Sequence, residues 1–276
     1  MSKIQVKSLN KSFKNNGKTA VVLEDINISV KENEFISLLG PSGCGKSTLL
    51  TIMAGFQKAD SGVVETGGKI VTKPGPDRAF VFQNYALFPW MTLKANILYP
   101  MKRQKLPLPE RTQLLKKLLS MAKLDGKENL FPHQLSGGMK QRTAVIRALA
   151  CRPEVMLMDE PLGALDYQMR RELQEELEAI FLQDAVTVMM VSHDIEEAVF
   201  MSDRVLLMSL NKGQIVDDMK IDLERPRNRS SKLYKEYCEY LTEHIKKPRY
   251  QGQVRNEFVA AKKVMHEKKT LIAESS

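Results

Sequence analysis

The segment GPSGCGKST at residues 40–48 is the feature that most constrains how this chain can fold. It matches the pattern G-x-x-x-x-G-K-[ST], and it lies between the apolar run EFISLLG (34–40) and the helical pattern KSTLLTIMAGF (46–56). Glycines let a backbone turn tightly with its N–H groups pointing inward, and the helix that follows presents its positive N-terminal end. A strand, a glycine-rich turn and a helix in this order predict a phosphate-binding loop. Its three glycines are Gly40, Gly43 and Gly45.

Apolar runs and helical patterns alternate along much of the chain, which predicts an α/β fold with a largely parallel sheet. Further strands are expected at residues 78–83, 154–160, 185–192 and 203–209. A helix is expected at residues 166–181, with one apolar face formed by Met169, Leu173, Leu177 and Ile180. No apolar run is long enough to span a membrane, and the first residues have no secretory signal pattern. The cysteines have no metal-binding spacing, which favours a reducing cytosol.

The chain divides into regions of different pattern. Residues 84–150 are rich in helical patterns, so we expect a helical subdomain inserted into the α/β core. The pattern loosens near residue 222 at DLERPRNRSS, which predicts a linker. The expected division is a core domain at residues 1–222 and a basic tail at residues 223–276, helical or partly disordered. We also expect that removal of residues 231–276 leaves the activity of the core domain mostly intact.

The positive charge is concentrated in the tail. Residues 225–276 contain 13 Lys and Arg against 6 Asp and Glu, a difference of +7 within a net charge of +9. A solvated extension is the simplest interpretation of such a segment. The alternatives are contact with acidic lipid headgroups, with a protein partner or with nucleic acid. Basic charge alone is weak support for nucleic acid binding.

Two carboxylates at the end of the run VMLMDEP (155–161) complement the phosphate loop, as we call residues 40–48. Lys46 is placed to reach the β- and γ-phosphates of a nucleotide, and Ser47 to ligate Mg²⁺. Asp159 is expected to hold Mg²⁺ directly or through water, and Glu160 to orient or deprotonate water. A surface Asp-Glu pair is the structural alternative, and the apolar strand before it argues against that. These residues predict a nucleotide site.

Two more polar side chains end predicted strands. Gln83 follows AFVF, where its amide can sense Mg²⁺ or the attacking water. His193 lies in VSHD, where its ring can contact the γ-phosphate. A lone histidine is more often structural than catalytic, so the residues by themselves leave both roles open. For Cys44, a place in a phosphate-facing loop is a simpler interpretation than a reactive thiol.

The segment LSGGMKQR at residues 135–142, which we call the SGG segment, has the makings of a second anion site. Ser136 is expected to cap a helix that begins at Gly137. Its hydroxyl and the N–H of Gly138 would then form a seat for an anion. A plain N-cap is the structural alternative, and the two interpretations are compatible.

These motifs together resemble the ATP-binding cassette ATPases of ABC transporters. The resemblance covers about residues 3–222, and its most specific element is the SGG segment. The other matching motifs are GPSGCGKST, Gln83, VMLMDEP, GALD (163–166) and His193. The resemblance implies ATP hydrolysis with Mg²⁺ on a P-loop NTPase fold of the ABC ATPase type, with a RecA-like core, an antiparallel β subdomain and an inserted helical subdomain.

The resemblance also implies roles for particular residues. Phe13 would stack on adenine, and Asp166 would lie in a loop that crosses between subunits. Gln83 would belong to the loop that meets a transmembrane subunit, besides serving catalysis and binding Mg²⁺. His193 would be the switch histidine. The nucleotide contacts implied for the phosphate loop are Gly40, Pro41, Ser42, Gly43, Cys44, Gly45, Lys46, Ser47 and Thr48.

A dimer follows from the same resemblance. Two cassettes, identical or paralogous, would associate head to tail. Each ATP would then be held by the phosphate loop of one chain and by the SGG segment of the other. The residues implied on that second side are Ser136, Gly137 and Gly138.

The segments KPGPDRAFVFQNYALFPWMTLKANI (73–97) and RPRNR (225–229) resemble the nitrate/sulfonate/taurine branch of bacterial importers, with the nitrate and bicarbonate members nearest. This implies a peripheral ATPase on the cytoplasmic face of the inner membrane, with transmembrane permease subunits, a periplasmic binding protein as an indirect partner, and no nucleic acid. ATP hydrolysis would drive uptake of a small anion such as nitrate, bicarbonate, a sulfonate or taurine. An importer for another small organic solute, such as a thiamine precursor, and a soluble DNA-associated ATPase are the alternatives.

Motif spacing separates some of these classes. Lys46 and Ser136 are 90 positions apart, which leaves no room for the long coiled-coil insertion of DNA-repair members. The chain carries one cassette, whereas ribosome-associated members carry two. Exporters usually carry fused transmembrane helices, and a regulatory β-domain would need more strand pattern than follows residue 225. The transported substrate is not encoded in these motifs.

Overall fold

A computed structural model of the chain describes residues 2–15, 18–163, 166–184 and 186–246. The strands in chain order are β1 (Ser2–Asn15), β2 (Lys18–Lys31), β3 (Phe35–Leu39), β4 (Ser61–Thr66), β5 (Lys69–Ile70), β6 (Arg78–Val81), β7 (Val155–Asp159), β8 (Thr187–Val191), β9 (Arg204–Met208) and β10 (Ile215–Lys220). The helices are α1 (Lys46–Ala54), α2 (Leu93–Arg103), α3 (Leu108–Met121), α4 (Gly137–Leu149), α5 (Tyr167–Asp184), α6 (Ile195–Met201) and α7 (Lys232–Lys246), with a 3₁₀ turn at Pro132–Gln134. Among these helices, none is both long and apolar enough to cross a bilayer.

The centre of the fold is a six-stranded sheet in the order β10-β9-β3-β8-β7-β6. Its strands run parallel except β10, which pairs antiparallel with β9. The predicted, largely parallel sheet is therefore confirmed. Residues 84–150 contain α2, α3 and α4, as the helical pattern indicates. The domain division at residue 222 stays a prediction.

Both faces of the central sheet are covered at its inner strands β3, β7, β8 and β9, whose residues are buried almost without alternation. In β3, Phe35 and Leu39 belong to the core under the helices, whereas Ile36 and Leu38 belong to the core on the other face. The stripe predicted on α5 is confirmed as core packing, since Leu173, Leu177 and Ile180 are buried and Met169 packs against them. Each fully buried Leu or Ile stabilises the fold by about 1.5–3 kcal/mol.

A second sheet, antiparallel and four-stranded, has the order β2-β1-β4-β5. In β2, the buried side chains alternate with exposed ones, as is typical of a strand with one face in the core; they are Leu23, Ile26, Ile28 and Val30. They pack with α1 in the core on that face of the central sheet. This sheet was expected only from the family resemblance, although the alternation in β2 is visible in the sequence.

The segment after residue 222 is packed, which differs from the predicted linker. In α7, the side chains of Tyr234, Tyr237 and Leu241 are buried in the main core. The hydroxyl of Tyr234 donates to the carbonyl oxygen of Glu196 at 2.9 Å. Helix α7 therefore packs against the core, and its removal would expose that apolar surface. The expectation that activity is mostly kept without residues 231–276 stays a prediction. Residues 247–276 of the basic tail lie outside the described part of the chain.

Arginines of the RPRNR segment hold this packing in place. Arg225 pairs with Glu178 and with Asp203, the latter at 2.9 Å. The guanidinium of Arg227 is buried and donates to the carbonyl oxygens of Val199 and Phe200 at the end of α6. Helix C-terminal carbonyls lack partners within the helix and attract cations. The segment is therefore bound to the end of α6, although its polar composition alone indicates a loose linker.

Candidate active site

The candidate residues converge at one edge of the central sheet, because the carboxyl ends of parallel strands meet there. The phosphate loop follows β3, Gln83 follows β6, Asp159 ends β7 with Glu160 next to it, and His193 follows β8. Strands that are far apart in sequence thus deliver four groups of polar side chains to one place.

Two glycines shape the phosphate loop by adopting left-handed backbone angles, with φ of 82° at Gly43 and 103° at Gly45. Gly45 is also the N-cap residue of α1, where no side chain caps the first N–H groups. A Cβ atom at Gly45 would lie 2.8 Å from Cδ2 of Leu23, so close packing excludes a side chain as well. The first turn of α1 therefore offers its N–H groups to an anion.

Lys46 is nearly buried beneath this loop. Its ammonium nitrogen donates to the carbonyl oxygens of Gly40 at 2.8 Å and Pro41 at 3.0 Å. Cys44 is buried as well, and this burial raises the pKa of its thiol, which favours the unreactive neutral form. Only main-chain atoms of Cys44 can serve a nucleotide while its side chain packs in the core. The loop is completed by Ser42, which is exposed, and Thr48.

A hydroxyl and a carboxylate form the candidate metal position. The Ser47 hydroxyl donates to Oδ1 of Asp159 at 2.9 Å, although 112 positions separate the two residues. Burial raises the pKa of Asp159, and the bond from Ser47 acts in the opposite direction. Hydroxyl and carboxylate oxygens are the ligands that Mg²⁺ prefers, so this pair fits that ion.

Glu160 lies at the centre of the second cluster. Its Oε2 atom accepts from Nε2 of Gln83 at 3.3 Å and lies 3.4 Å from Nδ1 of His193. Its backbone is left-handed, with φ of 46°, and its N–H donates to the carbonyl oxygen of Val191 in β8 at 3.0 Å. A non-glycine residue in this conformation is uncommon and costs about 1–3 kcal/mol, so the neighbouring strand must hold it there.

The turn that carries His193 is fixed by residues that were not predicted. The Ser192 hydroxyl donates to the carboxylate of Glu197 and accepts from the N–H of Asp194 at 3.0 Å. Asp194 caps α6 by accepting from the N–H of Glu197 at 3.1 Å, and it pairs with Arg170 of α5 at 2.9 Å. The spacing D-x-x-E at residues 194–197 is a capping-box pattern that could have indicated this turn.

Glu197 should make the stability of the protein pH-dependent. Burial raises its pKa to about 7, with Asp194 and Glu160 adding to the effect and Arg170 opposing it. A carboxyl group with a raised folded-state pKa stabilises fully below its unfolded pKa and loses that contribution as pH rises through the folded one. We therefore expect Glu197→Gln to exceed the wild type in unfolding free energy by about 3 kcal/mol at pH 8 and by under about 1 kcal/mol near pH 5.

Urea unfolding at these two pH values measures the difference. Glu196→Gln is the matched control, because Glu196 is the exposed neighbour on the same helix and should change little at either pH. Equal stability differences for Glu197→Gln at both pH values would contradict a raised pKa at this carboxyl group.

The SGG segment lies elsewhere in the chain's own fold. Ser136 is the N-cap of α4, and its hydroxyl accepts from the N–H of Met139 at 3.3 Å, as predicted. A Cβ atom at Gly138 would lie 3.6 Å from the sulfur of Met169. The backbone N–H of Met169 donates to Oδ1 of Asp166 at 3.0 Å. Within the described residues, no hydrogen bond or ion pair joins residues 136–138 to the phosphate loop.

Phe13 lies on the antiparallel sheet near the phosphate loop. It pairs with Ala20 of β2. The loop contacts β2 at Val22 and Leu23, through Gly45. At about 3.3 Å per residue, Phe13 is therefore about 7–10 Å along the strand from that contact. Its side chain is 39% exposed, which leaves part of the ring open to stacking. The ammonium nitrogen of Lys11 lies over the ring, 5.3 Å from its centre.

Comparison with known proteins identifies the family. Residues 23–163 match the family described as ABC transporter. A bicarbonate transport ATP-binding protein of Synechocystis is 47% identical over 214 residues, which cover 75% of this chain and 75% of that protein. A nitrate import ATP-binding protein of Synechococcus elongatus is 45% identical, covering 76% and 78%. An aliphatic sulfonates import ATP-binding protein of Bacillus subtilis is 42% identical, covering 80% and 86%.

Solved structures agree with this result. The dimeric structure of a bacterial ABC transporter cassette has a TM-score of 0.69 and 32% identity, covering 79% of this chain and 98% of that one. A post-hydrolysis state of that cassette, bound to ADP and Pi, has a TM-score of 0.69 and 31% identity. The predicted ABC ATPase fold is confirmed, and the chain belongs to the ABC transporter family as one of its ATP-binding cassette ATPases.

Proposed function

We propose that this chain is the ATP-hydrolysing subunit of a bacterial importer for a small anion. The observation that carries the proposed ATPase site is the convergence of the Ser47–Asp159 pair with the cluster of Gln83, Glu160 and His193 at one edge of the sheet. These groups belong to four different strand ends, and the pairing of β3, β8, β7 and β6 brings them together.

In this proposal, each polar group has one task. The N–H groups at the start of α1 and the ammonium group of Lys46 bind the β- and γ-phosphates. Ser47, Asp159 and Gln83 would hold Mg²⁺, which neutralises charge on the phosphates when bound. Glu160 takes the proton of a water whose oxygen attacks the γ-phosphorus, and ADP leaves.

His193 and Phe13 complete the proposed site. His193 contacts the γ-phosphate from the turn that Ser192 and Glu197 hold. Phe13 stacks on adenine, for which an exposed ring some distance beyond the loop is suitable.

The proposed working unit contains two cassettes. Ser136, Gly137 and Gly138 would bind the ATP held by the phosphate loop of the other chain, and Asp166 would lie at the contact between them. Support comes from the dimeric relative and from Ser136, which, among the described residues, has no hydrogen bond to its own phosphate loop. The pair would work beneath separate transmembrane permease subunits, on the cytoplasmic face of the membrane, with a periplasmic binding protein delivering the substrate.

The anion class rests on the three relatives, whose names specify bicarbonate, nitrate and aliphatic sulfonates. The test is reconstitution of the full chain with candidate permease and binding proteins of the same source, in vesicles containing ATP. We expect ATP-dependent uptake of one of nitrate, bicarbonate, a sulfonate or taurine, and none with Lys46→Ala. Uptake of an uncharged or cationic organic solute would move the chain to another importer class. ATP hydrolysis stimulated by DNA and not by the permease would contradict an importer.

A further inference from the structure

Helix α4 contacts the loop that follows Gln83 as well as carrying the SGG segment at its start. Arg147, near the end of α4, donates from Nη1 to the carbonyl oxygen of Ala86 at 2.7 Å and from Nη2 to that of Tyr85 at 3.1 Å. The guanidinium also lies 5.5 Å from the centre of the Phe88 ring. One side chain therefore contacts three residues of this loop, Tyr85, Ala86 and Phe88.

The loop is held in a conformation that its residues disfavour. Tyr85 and Ala86 both have left-handed backbones, with φ of 62° and 47°. Neither is a glycine, and two successive left-handed residues do not persist without support from their surroundings. The two bonds from Arg147 end on the carbonyl groups of these same residues. A planar guanidinium can make both bonds at once, whereas an ammonium group cannot reproduce that geometry.

The loop in turn determines where Gln83 lies. Gln83 is two residues before Tyr85, and its amide donates to Glu160. The N–H of Tyr85 donates to the carbonyl oxygen of Phe82 at 3.0 Å, so Gln83 is enclosed within the turn that Arg147 holds. We therefore expect a change in the backbone at residues 85–86 to move the Gln83 amide relative to Glu160.

We propose that Arg147 is a positioning residue, which places Gln83 against Glu160 and ties that position to the helix that begins at Ser136. The link joins the two ATP sites to which one chain contributes, one through Gln83 and the other through Ser136. It rests on the proposed function, because Ser136 acts there on the ATP of the other chain. Movement of α4 when Ser136 binds that ATP reaches Gln83 through Arg147.

The test is steady-state ATPase kinetics of the full chain with substitutions at Arg147 and Ala86. Arg147→Lys removes the two-pronged bond but keeps the charge. Ala86→Val disfavours the left-handed backbone at an exposed residue, so it removes no core packing. We expect both to lower kcat by about tenfold to a hundredfold while KM for ATP changes less than about twofold, because misplacement of a catalytic group affects the chemical step.

Ala86→Gly provides the rescue. Glycine adopts left-handed angles readily, so it should leave kcat near the wild-type value and restore part of the kcat lost in Arg147→Lys. Arg152→Lys is the matched control, since Arg152 follows α4 in an exposed pair with Glu110 and should behave as wild type. A merely structural role for Arg147 would lower stability without rescue by Ala86→Gly.

Normal kcat in both Arg147→Lys and Ala86→Val would overturn the inference. If Arg147→Lys does not fold, Ala86→Val decides the question alone. Gln83→Ala and Glu160→Gln separate this result from failure of the proposed function. Normal turnover in these two variants would contradict the proposed roles of Gln83 and Glu160. If they lose turnover while the Arg147 variants keep it, only the role of Arg147 is contradicted.

Discussion

Glu160→Gln should keep ATP binding and lose nearly all ATP hydrolysis. Glu160 directly follows β7, and Gln83 and His193 both contact its carboxylate. Glutamine preserves the size of the side chain and cannot accept the proton of the attacking water. Loss of a general base typically lowers the rate by ~10²–10⁴-fold, so we expect a fall in kcat of that order with little change in nucleotide affinity.

Steady-state ATPase rates and equilibrium binding of ATP measure the two effects separately. Glu154→Gln is the matched control, because Glu154 precedes the same strand at its opposite end and pairs with Lys3 at 3.0 Å. It should hydrolyse ATP normally. Turnover near the wild-type rate in Glu160→Gln would remove Glu160 from the role of base, and loss of ATP binding would point to a collapsed site instead.

Mixed dimers of Lys46→Ala and Ser136→Arg should recover one intact ATP site, although both homodimers have none. In the mixed dimer, the damaged phosphate loop of one chain meets the damaged SGG segment of the other. The second site then has a wild-type Lys46 and a wild-type Ser136. Arginine fills the anion seat, whereas loss of the Ser136 cap alone should cost only ~1 kcal/mol of stability.

The control for this experiment places both substitutions in one chain and pairs it with a wild-type chain. Each site then carries one lesion, so this dimer should stay inactive, with the same substitutions present in the same number. Nucleotide occlusion and ATPase activity of purified heterodimers are the measurements. Normal hydrolysis by the Ser136→Arg homodimer would make the SGG segment structural. Activity in the control dimer, but not in the first mixed dimer, would mean that the segment serves its own chain's ATP.

Local sequence patterns were enough for much of the fold. The strands that deliver the site are short apolar runs, and α1 and α4 begin where glycine-rich turns and a serine cap indicate. These features depend on residues a few positions apart, since backbone angles, caps and side-chain periodicity are set by near neighbours. Ser136 as an N-cap is an example, because its hydroxyl needs only the N–H of Met139, three residues later.

The packing of the segment after residue 222 was not predicted, for the opposite reason. Prolines and arginines in RPRNR indicate a loose, solvated segment when only neighbours are considered. The partners of Arg227 are the carbonyl groups of Val199 and Phe200, and those of Arg225 include Glu178. None is near in sequence, so composition could not reveal that Arg227 is buried against a helix end and that Arg225 is half-buried beside it.

The sequence by itself determined which polar residues end strands and which open helices, because those assignments follow from local periodicity and turn chemistry. Tertiary structure alone decided which of them meet. Ser47 reaches Asp159, and Glu160 reaches both Gln83 and His193, because β8 lies between β3 and β7 and β6 pairs with β7. That strand order depends on how two apolar cores cover a sheet of six strands, a property of the whole chain that no short segment contains. The same packing brings the guanidinium of Arg147 to the carbonyl groups of Tyr85 and Ala86, which lie more than sixty positions away in sequence.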